Sequence, residues 1–156
     1  MPHPEGETFE FREFTLQVVR HQQAIADRLG INLTDFKCLG ILHRRGALTP
    51  KELVEEMGVS PAAMTTIIDR LEQSGFAKRK REGQDRRSFT VHAREESHKE
   101  IAKLYQSLQA AAIKLNTEYS EQELRLIFGY LQKAGNVLND ATSKLLRRGS
   151  FNKVRA

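Results

Sequence analysis

Residues 60–91 read SPAAMTTIIDRLEQSGFAKRKREGQDRRSFTV. Ser60 is a good N-cap, and Pro61 suits the first helical position, where a missing N–H costs nothing. Met64, Ile67, Ile68 and Leu71 follow at i, i+3, i+4 and i+7, one buried stripe of an α-helix. Gly75 closes that helix. Residues 76–81 (FAKRKR) and 87–92 (RSFTVH) then flank a loop, EGQDR. Phe89 and Val91 alternate with Ser88 and Thr90, the pattern of a half-buried strand. The stretch is therefore a helix that runs directly into a β-hairpin.

Upstream, TPKELVEEMG (residues 49–58) has the same punctuation. Thr49 caps, Pro50 opens, and Glu52 completes a T-x-x-E capping box. Gly58 can take the left-handed position that ends the helix. Only GVS separates the two short helices, which makes a helix-turn-helix. With the hairpin behind it, the unit is a winged helix.

The flanks are helical too. Residues 8–29 carry Phe11, Phe14, Val18, Ile25 and Leu29 on one stripe, and Gly30 stops them. Residues 33–45 repeat Phe36, Leu39 and Leu42, ending at Gly46. Residues 94 to about 118 carry Ile101, Leu104, Leu108, Ala111 and Leu115. Ser120 and Glu123 form another capping box. Leu124, Ile127, Leu131, Ala134, Leu138, Ala141 and Leu145 then make a heptad seam. Such a seam needs a cover, either a second subunit or the helix over residues 94–118. The pattern favours the second subunit, with Phe11, Phe14, Val18, Leu131, Leu138 and Leu145 as its contacts. The expected fold class is mainly α with a small β-wing: a winged helix-turn-helix core between long N- and C-terminal helices that form a dimerisation domain. The expected division is a dimerisation helix at 8–32, a DNA-binding region at 33–93, dimerisation helices at 94–146 and a basic tail at 147–156.

Charge points to the partner. The chain has 156 residues and a net charge of +5, but residues 78–87 and residues 147–156 each carry +4. The remaining residues sum to −3, so the positive charge is concentrated rather than spread as a solubilising coat. A concentrated basic patch fits a polyanion. The 39% hydrophobic content suffices for a core, and no run approaches the ~18 apolar residues that span a bilayer. MPHPEGETFEF lacks the basic and apolar regions of a signal peptide, and one cysteine excludes an internal disulfide. A cytoplasmic protein is expected. The five histidines (His3, His21, His43, His92 and His98) show no metal-ligand spacing, so neither metal nor cofactor is expected. There is no phosphate loop, nucleophile motif or carboxylate pair on a shared pocket face, so an enzyme is not expected. A membrane-surface role for the tail would need an amphipathic helix, which Gly149 opposes.

MTTIIDRLEQSGFAKRKREGQDRRSFTV (residues 64–91) resembles the recognition helix and wing of the MarR-type winged-helix regulators. Asp85-Arg86-Arg87 matches their D-x-R wing signature, and LTPKELVEEMGVS resembles their first helix of the pair. The likeness spans nearly all of residues 8–146. Four positions depart from it: Val54 where many members have alanine, Thr66 where many have arginine, and the pair His92-Ala93 where many have a Leu-Thr cap.

The resemblance implies a sequence-specific regulator of double-stranded DNA, a repressor acting as a homodimer on a pseudo-palindromic operator. Ser60, Ala62, Ala63, Thr65 and Thr66 would approach the major groove, where alanine meets thymine methyls and threonine can hydrogen-bond. Arg70 would make a backbone or positioning contact. Arg79 and Lys80 would bind phosphates, and Arg86 or Arg87 would enter the minor groove, with Arg87 favoured. Asp85 would orient a wing arginine before DNA arrives. A small aromatic or anionic effector would release the DNA, and His21, Phe36 and His43 are candidates to line its cleft. Cys38, amid apolar neighbours, reads as inert core. An architectural or constitutive DNA-binding protein with no ligand response shares all of these features except the cleft.

Overall fold

Short-range capping sets the boundaries of the central helices. The computed structural model describes residues 4–81 and 89–148, with side chains described over 10–81 and 89–145. Its elements run α1 (Pro4–Arg28), α2 (Leu33–Arg45), α3 (Pro50–Met57), α4 (Pro61–Gln73), β1 (Ala77–Arg81), β2 (Phe89–Ala93), α5 (Glu95–Asn116) and α6 (Glu121–Arg148). The fold is mainly α with a two-stranded wing, as expected.

α3 begins on the full capping box. Glu52 N–H donates to the Thr49 hydroxyl at 3.3 Å, and Thr49 N–H donates to the Glu52 carboxylate at 2.7 Å. These bonds, backbone first, hold the Glu52 carboxyl below its ordinary range. Gly58 ends the helix at φ 65°, a conformation that disfavours any side chain. α4 starts on Ser60, whose oxygen accepts from Ala63 N–H at 3.2 Å, and its chain exits through Gly75 at φ 76°. Ser120 and Glu123 cap α6 reciprocally, at 2.8 and 3.3 Å. α5 starts at Glu95, one residue later than expected. Glu95 and Glu96 in its first turn suit the helix dipole in place of the missing Leu-Thr cap.

The first compact unit, Met1–Leu104, holds the core. Leu39 and Leu42 of α2, Leu53 of α3, and Met64, Ile67, Ile68 and Leu71 of α4 are buried together with Phe76 and Val91 of the wing. Each such side chain contributes about 1.5–3 kcal/mol by leaving water. Of the α1 stripe, only Ile25 is buried; Leu29 is half-buried, while Phe14 and Val18 lie exposed. α1 thus joins this core through its C-terminal end.

β1 and β2 pair antiparallel, Ala77 opposite Ala93 and Arg81 opposite Phe89. Leu48 also bridges Val91 on its other edge, with N–H···O distances of 3.1 and 2.7 Å. The expected alternation fails at Thr90, which is buried rather than solvent-facing. Its hydroxyl lies 2.9 Å from His92 Nε2, a partner that makes burial tolerable.

The second unit, Tyr105–Ala156, comprises the rest of α5 and α6. None of its described side chains is buried. Leu131, Leu138 and Leu145 of the heptad seam are 42%, 53% and 66% exposed, whereas Leu124 and Ala134 are half-buried.

Candidate nucleic-acid interface

The stripe that buries Met64, Ile67, Ile68 and Leu71 turns the opposite face of α4 to solvent. Ser60, Ala62, Ala63, Thr65 and Thr66 all lie exposed there, within the first turn and a half. Their hydroxyls are not idle. Thr65 donates to Pro61 O at 3.1 Å and Thr66 to Ala62 O at 3.2 Å, while Ser60 serves as the cap. What remains for a partner is hydroxyl lone pairs beside methyl groups. That is a small, smooth surface able to lie close to base edges and thymine methyls.

β1 leaves the far end of α4. Lys78, Lys80 and Arg81 are exposed along it, and Arg79 is half-buried. Asp85, Arg86 and Arg87 lie outside the described residues, as does the tail beyond Arg148.

Two of the expected DNA-contacting arginines are already engaged within the chain. Arg70 grips Asp35 of α2 with a planar fork, Nε to Oδ2 at 2.7 Å and Nη2 to Oδ1 at 2.6 Å. Hydrogen bonding to Asp35 raises the pKa of Arg70 above the ordinary arginine value. Asp35 is only 2% exposed and also accepts from Asn32 Nδ2 at 3.0 Å. Arg79 donates through Nη2 to Asp69 at 2.5 Å and through Nη1 to Glu72, and its guanidinium sits 5.2 Å from the Phe89 ring centroid. Burial opposes its charge, but the bonds to Asp69 and the field of Glu72 raise its pKa on balance.

Asp35 and Glu72 were not singled out from the sequence. Asp35 had a signal: it falls on the same helical face as Cys38, Leu39 and Leu42, where an acid demands a cation. Glu72 had none beyond lying near the exit of α4.

The candidate cleft residues lie on α1 and α2. Phe36 is core, while His21 is half-buried on α1. His43 turns to α5, with Nε2 at 3.3 Å from Ser97 Oγ and Nδ1 at 3.1 Å from His98 Nδ1. Burial, then the neighbouring His98, lowers the pKa of His43. The Cys38 thiol is fully buried and pushed up to about 12 by burial and then by Asp35, so it is inert as a nucleophile. Among the described residues, no three His, Cys, Asp or Glu side chains gather as a metal site.

Two short capped helices, the second presenting a smooth outer face, followed by a basic two-stranded hairpin, define a winged helix-turn-helix DNA-binding protein. The MarR family model matches residues 31–89. The chain is 34% identical to the HTH-type transcriptional regulator YcgE of Bacillus subtilis, over 86% of this chain and 88% of that protein. Among solved structures, a MarR family protein from Bacillus stearothermophilus superposes with TM-score 0.64 at 19% identity, covering 88% of this chain and 99% of that one. The apo form of Escherichia coli MarR does so with TM-score 0.61 at 21% identity, over 86% and 98%. The chain belongs to the MarR family of DNA-binding transcriptional regulators. No helix among the described residues is long and apolar enough to cross a membrane.

Proposed function

We propose that the chain acts in the cytoplasm as a homodimeric repressor on a pseudo-palindromic operator, and that a small aromatic or anionic effector releases it. The observation that carries this reading is the exposed outer face of α4 beside the basic strand β1. Ser60, Ala62, Ala63, Thr65 and Thr66 read the major groove, and Lys80 neutralises phosphate. Arg86 or Arg87 enters the adjacent minor groove, oriented by Asp85. Exposed apolar side chains at Phe14, Val18, Leu131, Leu138 and Leu145 support a second subunit as their cover. Residues 8–32 and 94–146 then form the dimerisation elements around a DNA-binding region at 33–93. Two half-sites would be centred ~34–36 Å apart, one helical turn of DNA.

Enrichment of duplexes from a random-sequence pool by the purified full chain, with light scattering of the bound species, tests the reading. An inverted repeat bound by two chains is expected. A single unrepeated site bound by one chain would overturn it. A screen of small aromatic acids against the enriched complex tests release; an undisturbed complex would favour a constitutive DNA-binding protein.

A further inference from the structure

We infer that Arg79 is a positioning residue that clamps the wing to the recognition helix, and that phosphate neutralisation along β1 falls to Lys78, Lys80 and Arg81. The inference rests on the DNA-binding reading above and assigns roles within it. Arg79 brings one positive charge, and its two carboxylate partners bring two negative ones. Asp69 lies 2.5 Å from Nη2, and Glu72 holds Nη1. The cluster therefore carries a net −1, which repels a phosphate rather than drawing one in. Both terminal nitrogens are engaged, and Phe89 of β2 lies 5.2 Å from the guanidinium carbon. Lys78, Lys80 and Arg81 lie exposed.

Glu72 does two things at once. Its Oε1 accepts from the backbone N–H of Arg79 at 2.8 Å, while Oε2 takes the side chain of the same residue. β1 is thus fastened at its third residue to the last turn of α4. Between the two anchors lies the turn at Gly75, with φ 76°, which is closed by Phe76 N–H donating to Leu71 O at 2.9 Å. Rotation of the wing about that turn must break the backbone bond and both side-chain bonds together. The clamp sets the angle between the helix in the major groove and the hairpin beside it before DNA is met, which lowers the ordering cost of binding.

The test uses the full chain and a duplex enriched from a random pool by the wild-type protein. Glu72→Gln removes a negative charge near DNA, so simple electrostatics expects tighter binding. The clamp expects binding weakened roughly 3- to 10-fold, the value of one or two hydrogen bonds. Arg79→Lys keeps the charge and loses the fork, and is expected to weaken binding similarly. Both should keep the slope of log affinity against log salt, whereas Lys80→Gln should make it shallower by about 0.9. Hydroxyl-radical footprints of Glu72→Gln should lose the outer, wing-side protection and keep the protection at the centre of each half-site. Tighter or unchanged binding by Glu72→Gln, or wild-type affinity for Arg79→Lys, would overturn the clamp. So would a slope loss of about 0.9 in Arg79→Gln. If the wild-type protein enriches no duplex at all, the failure lies with the DNA-binding reading and not with the clamp alone.

Discussion

Replacing Arg70 by alanine isolates the ion pair that seats the recognition helix. Asp35 would keep its burial, 2% exposed, and lose both bonds from the guanidinium, retaining only Asn32 Nδ2 at 3.0 Å. Two unit charges about 4 Å apart attract by about 4 kcal/mol at an effective dielectric constant near 20. The Arg70 side chain is 41% exposed, so water screens about half of that attraction, leaving about 2 kcal/mol. Leaving a buried acceptor short of donors adds up to about 1 kcal/mol. The expected loss is therefore about 2–3 kcal/mol, below the ~3–5 kcal/mol of a fully buried broken pair. For a chain of this size that is a fall in Tm of roughly 5–10 °C, read by circular dichroism at fixed protein concentration. The double variant Asp35→Asn, Arg70→Ala removes the buried charge as well and should recover at least half of the loss. An Arg70→Ala protein within about 0.5 kcal/mol of wild type would refute the reasoning, because surface substitutions cost no more than that. So would a double variant as unstable as the sum of its singles.

Three further outcomes are expected. Thr49→Ala removes the cap of α3 and should cost about 1 kcal/mol in urea denaturation, with Thr49→Ser close to wild type. His43 has a lowered pKa in the fold, so the unfolded chain binds the proton more readily. Stability is then whole above pH 6.5, the ordinary histidine value, and falls as pH drops below it. Thermal melts from pH 7.5 to 5.5 should show a steeper decline for wild type than for His43→Gln; parallel curves would refute this. Cys38, with its thiol pushed up to about 12, should resist iodoacetamide in the native protein and react on unfolding, and Cys38→Ser should leave any peroxide response intact.

Six cations in ten residues read as one anion-binding strip, yet they do not act alike. Lys78 and Lys80 sit on the solvent face of β1, while Arg79 lies between them in sequence and is drawn inward by two carboxylates of α4. The period-two alternation of a strand puts Arg79 on the face of Ala77, turned to α4, whereas Arg81, at the end of that same face, is exposed.

What the sequence determined by itself is local. The two capping boxes, Pro50 and Pro61 at helix starts, Gly58 at a left-handed end and the apolar stripe of α4 all lie within about one or two turns, and each appears where the residues put it. Such interactions need no distant partner, so residue identity and spacing suffice. The tertiary structure decided the rest. Arg70 meets Asp35 across 35 positions of chain, and His43 meets His98 across 55. Thr90 is buried against the pattern of its strand, with His92 Nε2 2.9 Å from its hydroxyl. No periodicity encodes such pairings: they exist only after loop closure has brought helices and strands together, and the side chains that meet there are chosen by packing.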